Sequence, residues 1–234
     1  MKVKSTSSTT EAEAVEAKQV DSTRERLLKS AVEIFGNLGF NGASTRAIAE
    51  KAGANIQAIP YYFGSKEGLY CAAAAYLGGI VASATEEARE QALHSLNEAQ
   101  AKGEFLDREK ACSLLRDLAE NLIVVLLSPE MASGAQLVLR EQMTPTTAFE
   151  HLYQKIIGPM SDVCARLIAA ILEVRDPFCK RIRLRTFSFM GGLFVFRYGH
   201  ATLLALLDKE EIGTRDIHDI KKLIGETIAS LAGK

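Results

Sequence analysis

From Ser22 onward the apolar residues recur at intervals of three and four, the spacing of a helix face, and no segment alternates with the period of a strand. The chain therefore reads as all-α. Ser22 and Glu25 form a capping box ahead of Leu27, Ala31, Ile34, Phe35 and Leu38, which line one face of a first helix. Gly39 follows as its left-handed stop, with Phe40 placed to fold back on the last turn. Ser44 caps a short second helix in which Ile48, Ala49 and Ala52 face inward and which Gly53 ends. Asn55 caps a third, carrying Ile56 to Phe63. Ser65 caps a fourth, where Leu69, Ala73, Tyr76, Leu77, Ile80 and Ala84 continue the stripe. Gly78 and Gly79 lie inside it at about 1 kcal/mol each relative to Ala, and mark a place where it can bend.

Beyond Gly103, prolines set the boundaries. One helix runs from about Asp107 to Leu127 and stops before Pro129; another covers Ser133 to Glu141; the next follows Pro145 with Phe149, Leu152, Tyr153 and Ile156. Pro159 opens a segment carrying Val163, Leu167, Ile168 and Ile171. Asp176 and Pro177 read as cap and first turn of a long helix reaching Leu207, and a last helix from about Asp216 aligns Ile217, Ile220, Ile224 and Ile228.

Composition adjusts this picture in three ways. Residues 1–21 are rich in Ser, Thr, Ala and Glu with few large apolar side chains, so they are expected to form a disordered tail. The formal net charge of -1 excludes a protein that coats nucleic acid by bulk charge, although Ser22 to Tyr70 carries six basic against four acidic residues. Cys71, Cys112, Cys164 and Cys179 stand far apart, which fits reduced thiols in a cytoplasmic protein. The most apolar stretch, Ser188 to Leu207, contains Arg197 and His200, so no membrane partner is expected.

Helix, glycine turn, short helix, glycine turn, short helix is the order of a DNA-reading helix-turn-helix. Arg24, A-x-x-I-F (Ala31 to Phe35), G-F (Gly39, Phe40), S-T-R-A-I-A-x-K-A-G (Ser44 to Gly53) and Y-Y-F-G-S-K-E-G-L (Tyr61 to Leu69) resemble the N-terminal domain of the TetR family of regulators. The resemblance implies a helix-turn-helix domain over 22–68 and a ligand-binding and dimerisation domain over 69–234. It also implies a homodimer on a palindromic operator in double-stranded DNA, and a small-molecule effector. Carried across position by position, Ser44, Thr45 and Lys66 would hold phosphates, where helix N-termini offer unpaired N–H groups. Arg46 would lie at the groove edge. Asn55, Ile56, Gln57 and Ala58 would meet base edges, and Tyr61 and Tyr62 are expected near the backbone, Tyr62 equally as packing. The departure is Pro60, where the family commonly has a tyrosine; proline should leave the third helix short, tightened or kinked after Ile59.

Further along, R-E-Q-M-T-P-T-x-A-F (Arg140 to Phe149) and F-S-F-M-G-G-L-F-V-F-R (Phe187 to Arg197) resemble the CecR-like branch, which includes sensors of antibiotics and other xenobiotics. Arg140 and Arg197 on apolar helices read either as polar anchors of a ligand pocket walled by Met143, Phe149, Tyr153 and Phe194, or as structural charges, for instance Glu141 with Arg197. Phe189, Leu193, Phe196 and Leu203, then Ile220, Ile224 and Ile228, are apolar enough for a four-helix dimer interface or for plain core. The leading expectation is a ligand-responsive repressor. The competing one is an all-α small-molecule-binding protein or enzyme whose helix-turn-helix serves protein contact. His94, His151, His200 and His218 are isolated, and the sequence shows no phosphate loop, metal spacing or nucleophile motif. Neither catalytic residues nor a cofactor are expected.

Overall fold

The computed structural model describes residues 7–232, with side chains from 22 to 231, and all regular structure among the described residues is helical. Helix α1 (Ser7–Gly42) passes through Ser22 without a break, so the capping box begins nothing and the expected tail is helical from Ser7. Ala, Glu, Gln and Lys dominate residues 11–19, and these strong helix formers extend a helix held downstream even with little to bury. Residues 1–6 of that expectation lie outside the described residues. The stop expected at Gly39 is present: its φ of 71° and ψ of 174° form a break that glycine adopts without strain. Phe40 then turns back, its ring centroid 6.2 Å from that of Phe35.

Helices α2 (Thr45–Lys51) and α3 (Ala58–Phe63) are too short to stand alone. Ile48, Ala49, Ala52 and Ile59 fix them by joining the core cluster that holds Leu27, Ala31 and Phe35 of α1. Lys51 also pairs with Glu33 of α1 at 2.8 Å. Helix α4 (Lys66–Ala101) then crosses the boundary expected at 68 and 69 as one unbroken helix. It is long and apolar enough to cross a bilayer by length and composition, yet Leu69, Ala73, Leu77, Val81, Ala88, Ala92 and Leu96 are buried within the fold. Gly78 and Gly79 do not interrupt it. A Cβ at Gly78 would lie 2.7 Å from Cγ1 of Ile156, so this glycine admits a neighbour rather than a bend.

Helix α5 (Arg108–Leu127), capped by Asp107 accepting the Lys110 N–H at 2.9 Å, runs through the middle of the C-terminal body, packed by α4 and by helices that follow it in the chain. After Pro129 the chain turns by 104° into α6 (Met131–Met143), which packs extensively on α1. Helix α7 (Thr147–Leu152) continues through a π-helical turn, Tyr153–Ile157, into α8 (Gly158–Ile171). The two segments separated by Pro159 in sequence are therefore continuous; the widened turn accommodates the N–H that proline lacks.

The long helix expected to reach Leu207 is two, α9 (Lys180–Tyr198) and α10 (His200–Leu207), which meet at Gly199 with a 72° bend. Glycine is the weakest helix former after proline, and the apolar pattern on either side hides that weak point. Asp176 accepts the Phe178 N–H at 2.9 Å, closing a turn ahead of α9 rather than capping it. Helix α11 (Thr214–Ala232) runs antiparallel to α5, with Lys221 3.6 Å from Glu120 and Gly225 beside Arg116. Ile220, Ile224 and Ile228 are buried inside the single chain. That assigns them to the intramolecular core, and Phe189 and Leu193 are likewise buried within the chain.

Candidate nucleic-acid interface

Two N-terminal caps and one asparagine turn orient the reading unit. Ser44 Oγ accepts the Ala47 N–H at 3.1 Å, Asn55 Oδ1 accepts the Gln57 N–H at 2.9 Å, and Ser65 Oγ accepts the Gly68 N–H at 3.1 Å. The two serines each replace a hydrogen bond that a helix end cannot make internally, whereas the Asn55 bond closes a turn ahead of α3, whose N-cap, Gln57, makes no side-chain capping bond, so the cap expected at Asn55 is not formed. The Asn55 turn and the i to i−3 bonds from Ala58 to Asn55 and from Ile59 to Ile56 tighten the entry into α3. Beyond them Asn55, Ile56, Gln57, Pro60 and Tyr61 are exposed, Tyr61 by 79%, so one contiguous surface carries two amides, an aliphatic side chain and a phenol. Ala58 is half-buried, as is Tyr62, whose ring lies 4.9 Å from Tyr61 and 6.0 Å from Phe63.

Pro60 does not end α3. It is the third residue of the helix, in the first turn, where an N–H has no intrahelical partner to lose. Of the short, tightened or kinked helix expected there, the shortening and the tightened entry are found.

Thr45, Ile56, Gln57, Pro60, Gly64, Ser65 and Lys66 line an open depression of about 300 Å³ between the starts of α2 and α4. Its position at the α4 N-terminus suits a phosphate group. Ser65, first read only as a cap, is part of this surface. The charges beside it are partly engaged already. Arg46 donates to Glu50 at 2.9 Å, which raises the arginine's pKa further, and Lys66 Nζ lies 4.6 Å from the centroid of the Phe40 ring. Glu67, held below its usual carboxylate value by its own backbone N–H and then by Ser65, keeps a negative charge in the first turn of α4. Arg24, over the Phe63 ring at 5.6 Å, braces α1 on the end of α3.

The C-terminal residues expected to wall a ligand pocket do not converge. Arg140 Nε donates to the carbonyl of Gly36 and its Nη2 to that of Asn37, both at 3.2 Å, so it serves α1 and not a cavity. Glu141 is 1% exposed and accepts from Tyr70, not Arg197. Among the described residues Arg197 has no carboxylate within 4.0 Å, and burial lowers its pKa. Met143 is 78% exposed, Tyr153 is 51% exposed, and Phe149 packs 6.1 Å from Tyr153. Helix amphipathicity could not reveal which neighbour each charge would meet.

Phe194 does line a cavity, with Leu77 and Val81 of α4, Met131 and Ala135 of α6, Ile156 of the π turn, and Met190 and Tyr198 of α9. It has free space of about 40 Å³ and almost no polar surface. Burial raises the Tyr198 phenol to about 12, keeping that wall neutral.

Residues 27–73 match the model of the bacterial regulatory proteins of the tetR family, and residues 111–234 match the C-terminal domain of the HTH-type transcriptional dual regulator CecR. The chain is 33% identical over 184 residues to the CecR dual regulator of Shigella flexneri, covering 79% of each chain. It is 46% identical over 56 residues to the HTH-type transcriptional repressor NicS of Pseudomonas putida, which is 24% of this chain and 26% of that one. Among solved structures, the fatty acid degradation regulator FadR of Bacillus halodurans aligns with a TM-score of 0.60 at 17% identity, covering 90% of this chain and 95% of that one. A TetR-family regulator from Mesorhizobium loti aligns with a TM-score of 0.59 at 18% identity, covering 91% and 96%. At these identities the structural likeness speaks for the fold.

Proposed function

Since the chain belongs to the TetR family and is a DNA-binding transcription regulator, we propose that it is a cytoplasmic repressor that binds a palindromic operator as a homodimer and leaves it when a small apolar molecule enters the C-terminal body. The exposed surface of Asn55, Ile56, Gln57 and Tyr61 beside the depression at the α4 N-terminus carries this reading. Amides suit adenine edges, an aliphatic group suits the thymine methyl, and the helix end with Thr45, Ser65 and Lys66 suits the flanking phosphates. In this reading residues 22–68 read DNA, residues 69–234 sense and dimerise, and no residue is catalytic.

Effector chemistry follows from the cavity. Its walls offer no charge, so a neutral, apolar molecule fits them, and the occupant must part helices α4, α6 and α9 because about 40 Å³ is far below a drug-sized site. The π turn is the natural place to yield, since its backbone bonds are already wider than those of the flanking helices.

Dimerisation is supported by apolar side chains left outside the core. Leu184 (59% exposed), Phe187 (78%) and Val195 (56%) of α9 are exposed, and Leu223 (50%) of α11 lines, with Phe189, Leu193, Phe196 and Ile224, a groove of about 300 Å³. A second copy laying its own α9 and α11 here would complete a four-helix contact. Leu203 is half-buried on α10, which bends away from α9 by 72°.

In vitro selection from a random duplex library, followed by gel shifts at several salt concentrations, tests the central claim. We expect one palindromic sequence to be enriched and bound as a dimer; folded protein that enriches nothing at low salt would defeat it. A second reading, activation as well as repression, is favoured by the dual regulator from Shigella flexneri, and reporter assays at promoters on both sides of the selected site would separate the two.

A further inference from the structure

Arg140 and Glu141 are adjacent on α6, and successive helix positions point about 100° apart, so one side chain grips α1 while the next grips α4. The Arg140 guanidinium spans two carbonyls, Gly36 and Asn37, in the last turn before the break at Gly39. That turn is the negative end of a helix, where a cation capping from another element is well matched. Glu141 is buried with its carboxylate fully occupied: it accepts from the Tyr70 hydroxyl at 2.7 Å, from the Thr146 N–H at 2.9 Å and from the Thr146 hydroxyl at 3.0 Å.

Two further contacts stiffen the joint. Gly36 lies so close to Ser133 of α6 that a Cβ would sit 2.1 Å from the Ser133 carbonyl oxygen. The Tyr70 ring meets Phe35 edge-on at 4.8 Å and Phe40 at 5.2 Å, and Phe40 in turn lies under Lys66 at the DNA-facing end of α4. Because α2 and α3 rest on α1, the angle at which α6 holds α1 sets where α3 points relative to the body.

We infer that Arg140 and Glu141 are positioning residues for DNA reading: they lock the orientation of the helix-turn-helix and thereby set which half-site spacing the protein accepts. Neither residue reaches DNA. Their effect is to keep most molecules in the orientation competent for a two-site operator, and a loosened joint lowers apparent affinity in proportion to the competent fraction.

The test rests on the proposed two-fold binding and uses no effector, so ligand response does not enter it. Full-length wild type, Arg140→Met and Tyr70→Phe are titrated with the selected duplex and with duplexes in which the half-sites are one or two base pairs closer or farther apart. For Arg140→Met we expect about a tenfold loss on the selected duplex, as when about a tenth of molecules stay competent, and a collapse of discrimination among spacings. Tyr70→Phe, which keeps the aromatic contacts, should show the same change at smaller size and decides the matter where Arg140→Met does not fold. Wild type that discriminates spacings while the variants discriminate equally well overturns this inference alone, including where affinity falls only with the folded fraction. Wild type that binds every spacing alike overturns both it and the two-site reading.

Discussion

The Tyr70 hydroxyl donates to Glu141 at 2.7 Å across the contact of α4 with α6, and both residues are almost wholly buried. Burial, and then the hydrogen bond to the neighbouring carboxylate, push the phenol's pKa well above its usual 10.0. A group whose folded pKa is raised contributes stability that is complete below the unfolded value and is lost as pH rises toward the folded one. Stability should therefore fall as pH climbs above about 10. Tyr70→Phe should unfold about 1 to 2 kcal/mol more easily at neutral pH and lose less of its stability between neutral and alkaline pH. Denaturant midpoints at a series of pH values check both halves.

Arg46 and Glu50 are paired on the exposed face of α2, so the arginine's charge is shared before DNA arrives. Glu50→Gln should tighten nonspecific duplex binding, and Arg46→Gln should weaken it. If Arg46 meets one phosphate per half-site, its loss should reduce the slope of log affinity against log salt by about 0.9 per protomer. Fluorescence anisotropy titrations between low and moderate salt would measure this.

Pro60 is exposed in the first turn of α3, at the edge of the depression that holds Thr45 and Lys66. Tyrosine there would restore an unpaired first-turn N–H and add a hydroxyl within the same surface. Pro60→Tyr should raise nonspecific affinity roughly two- to tenfold, the range of one added hydrogen bond. Equal or weaker binding at matched salt would mean that the surface already compensates for the proline.

Ala135 lines the apolar cavity. Ala135→Val should fill part of its free space of about 40 Å³, raising stability by about 1 kcal/mol at most and Tm by about 2–4 °C. The same change should blunt release of DNA by any apolar effector, which a gel shift with and without that compound would reveal.

Much of the reading unit was legible in the chain. Gly39, the caps Ser44 and Ser65, the turn at Asn55, and the buried Ile48, Ala49 and Ala52 are local features, set by backbone torsion, short-range hydrogen bonds and the period of a helix. The resemblance carried by Ser44 to Gly53 and Tyr61 to Leu69 named the fold. The start of α1 was misread because a capping box is a local preference, and helix propensity upstream of it prevailed. At Pro60 the sequence left a short, a tightened and a kinked helix open, because proline's cost depends on its place in the helix, and that place depends on where α3 begins.

The sequence by itself determined that the chain is helical and where several of its helices start and stop, because these follow from interactions within a few residues, and the resemblance its residues carry pointed to an N-terminal part that reads DNA. Tertiary structure alone decided that Arg140 caps α1 and Glu141 holds Tyr70, that the cavity is walled by Phe194 without Arg140 or Met143, and that Ile220, Ile224 and Ile228 belong to the chain's own core. Periodicity shows that a helix has an apolar face and a stray charge; which distant helix lies against that face, and which carbonyl or hydroxyl meets that charge, depends on packing between residues up to about a hundred positions apart, as with Arg140 and Gly36 at a separation of 104.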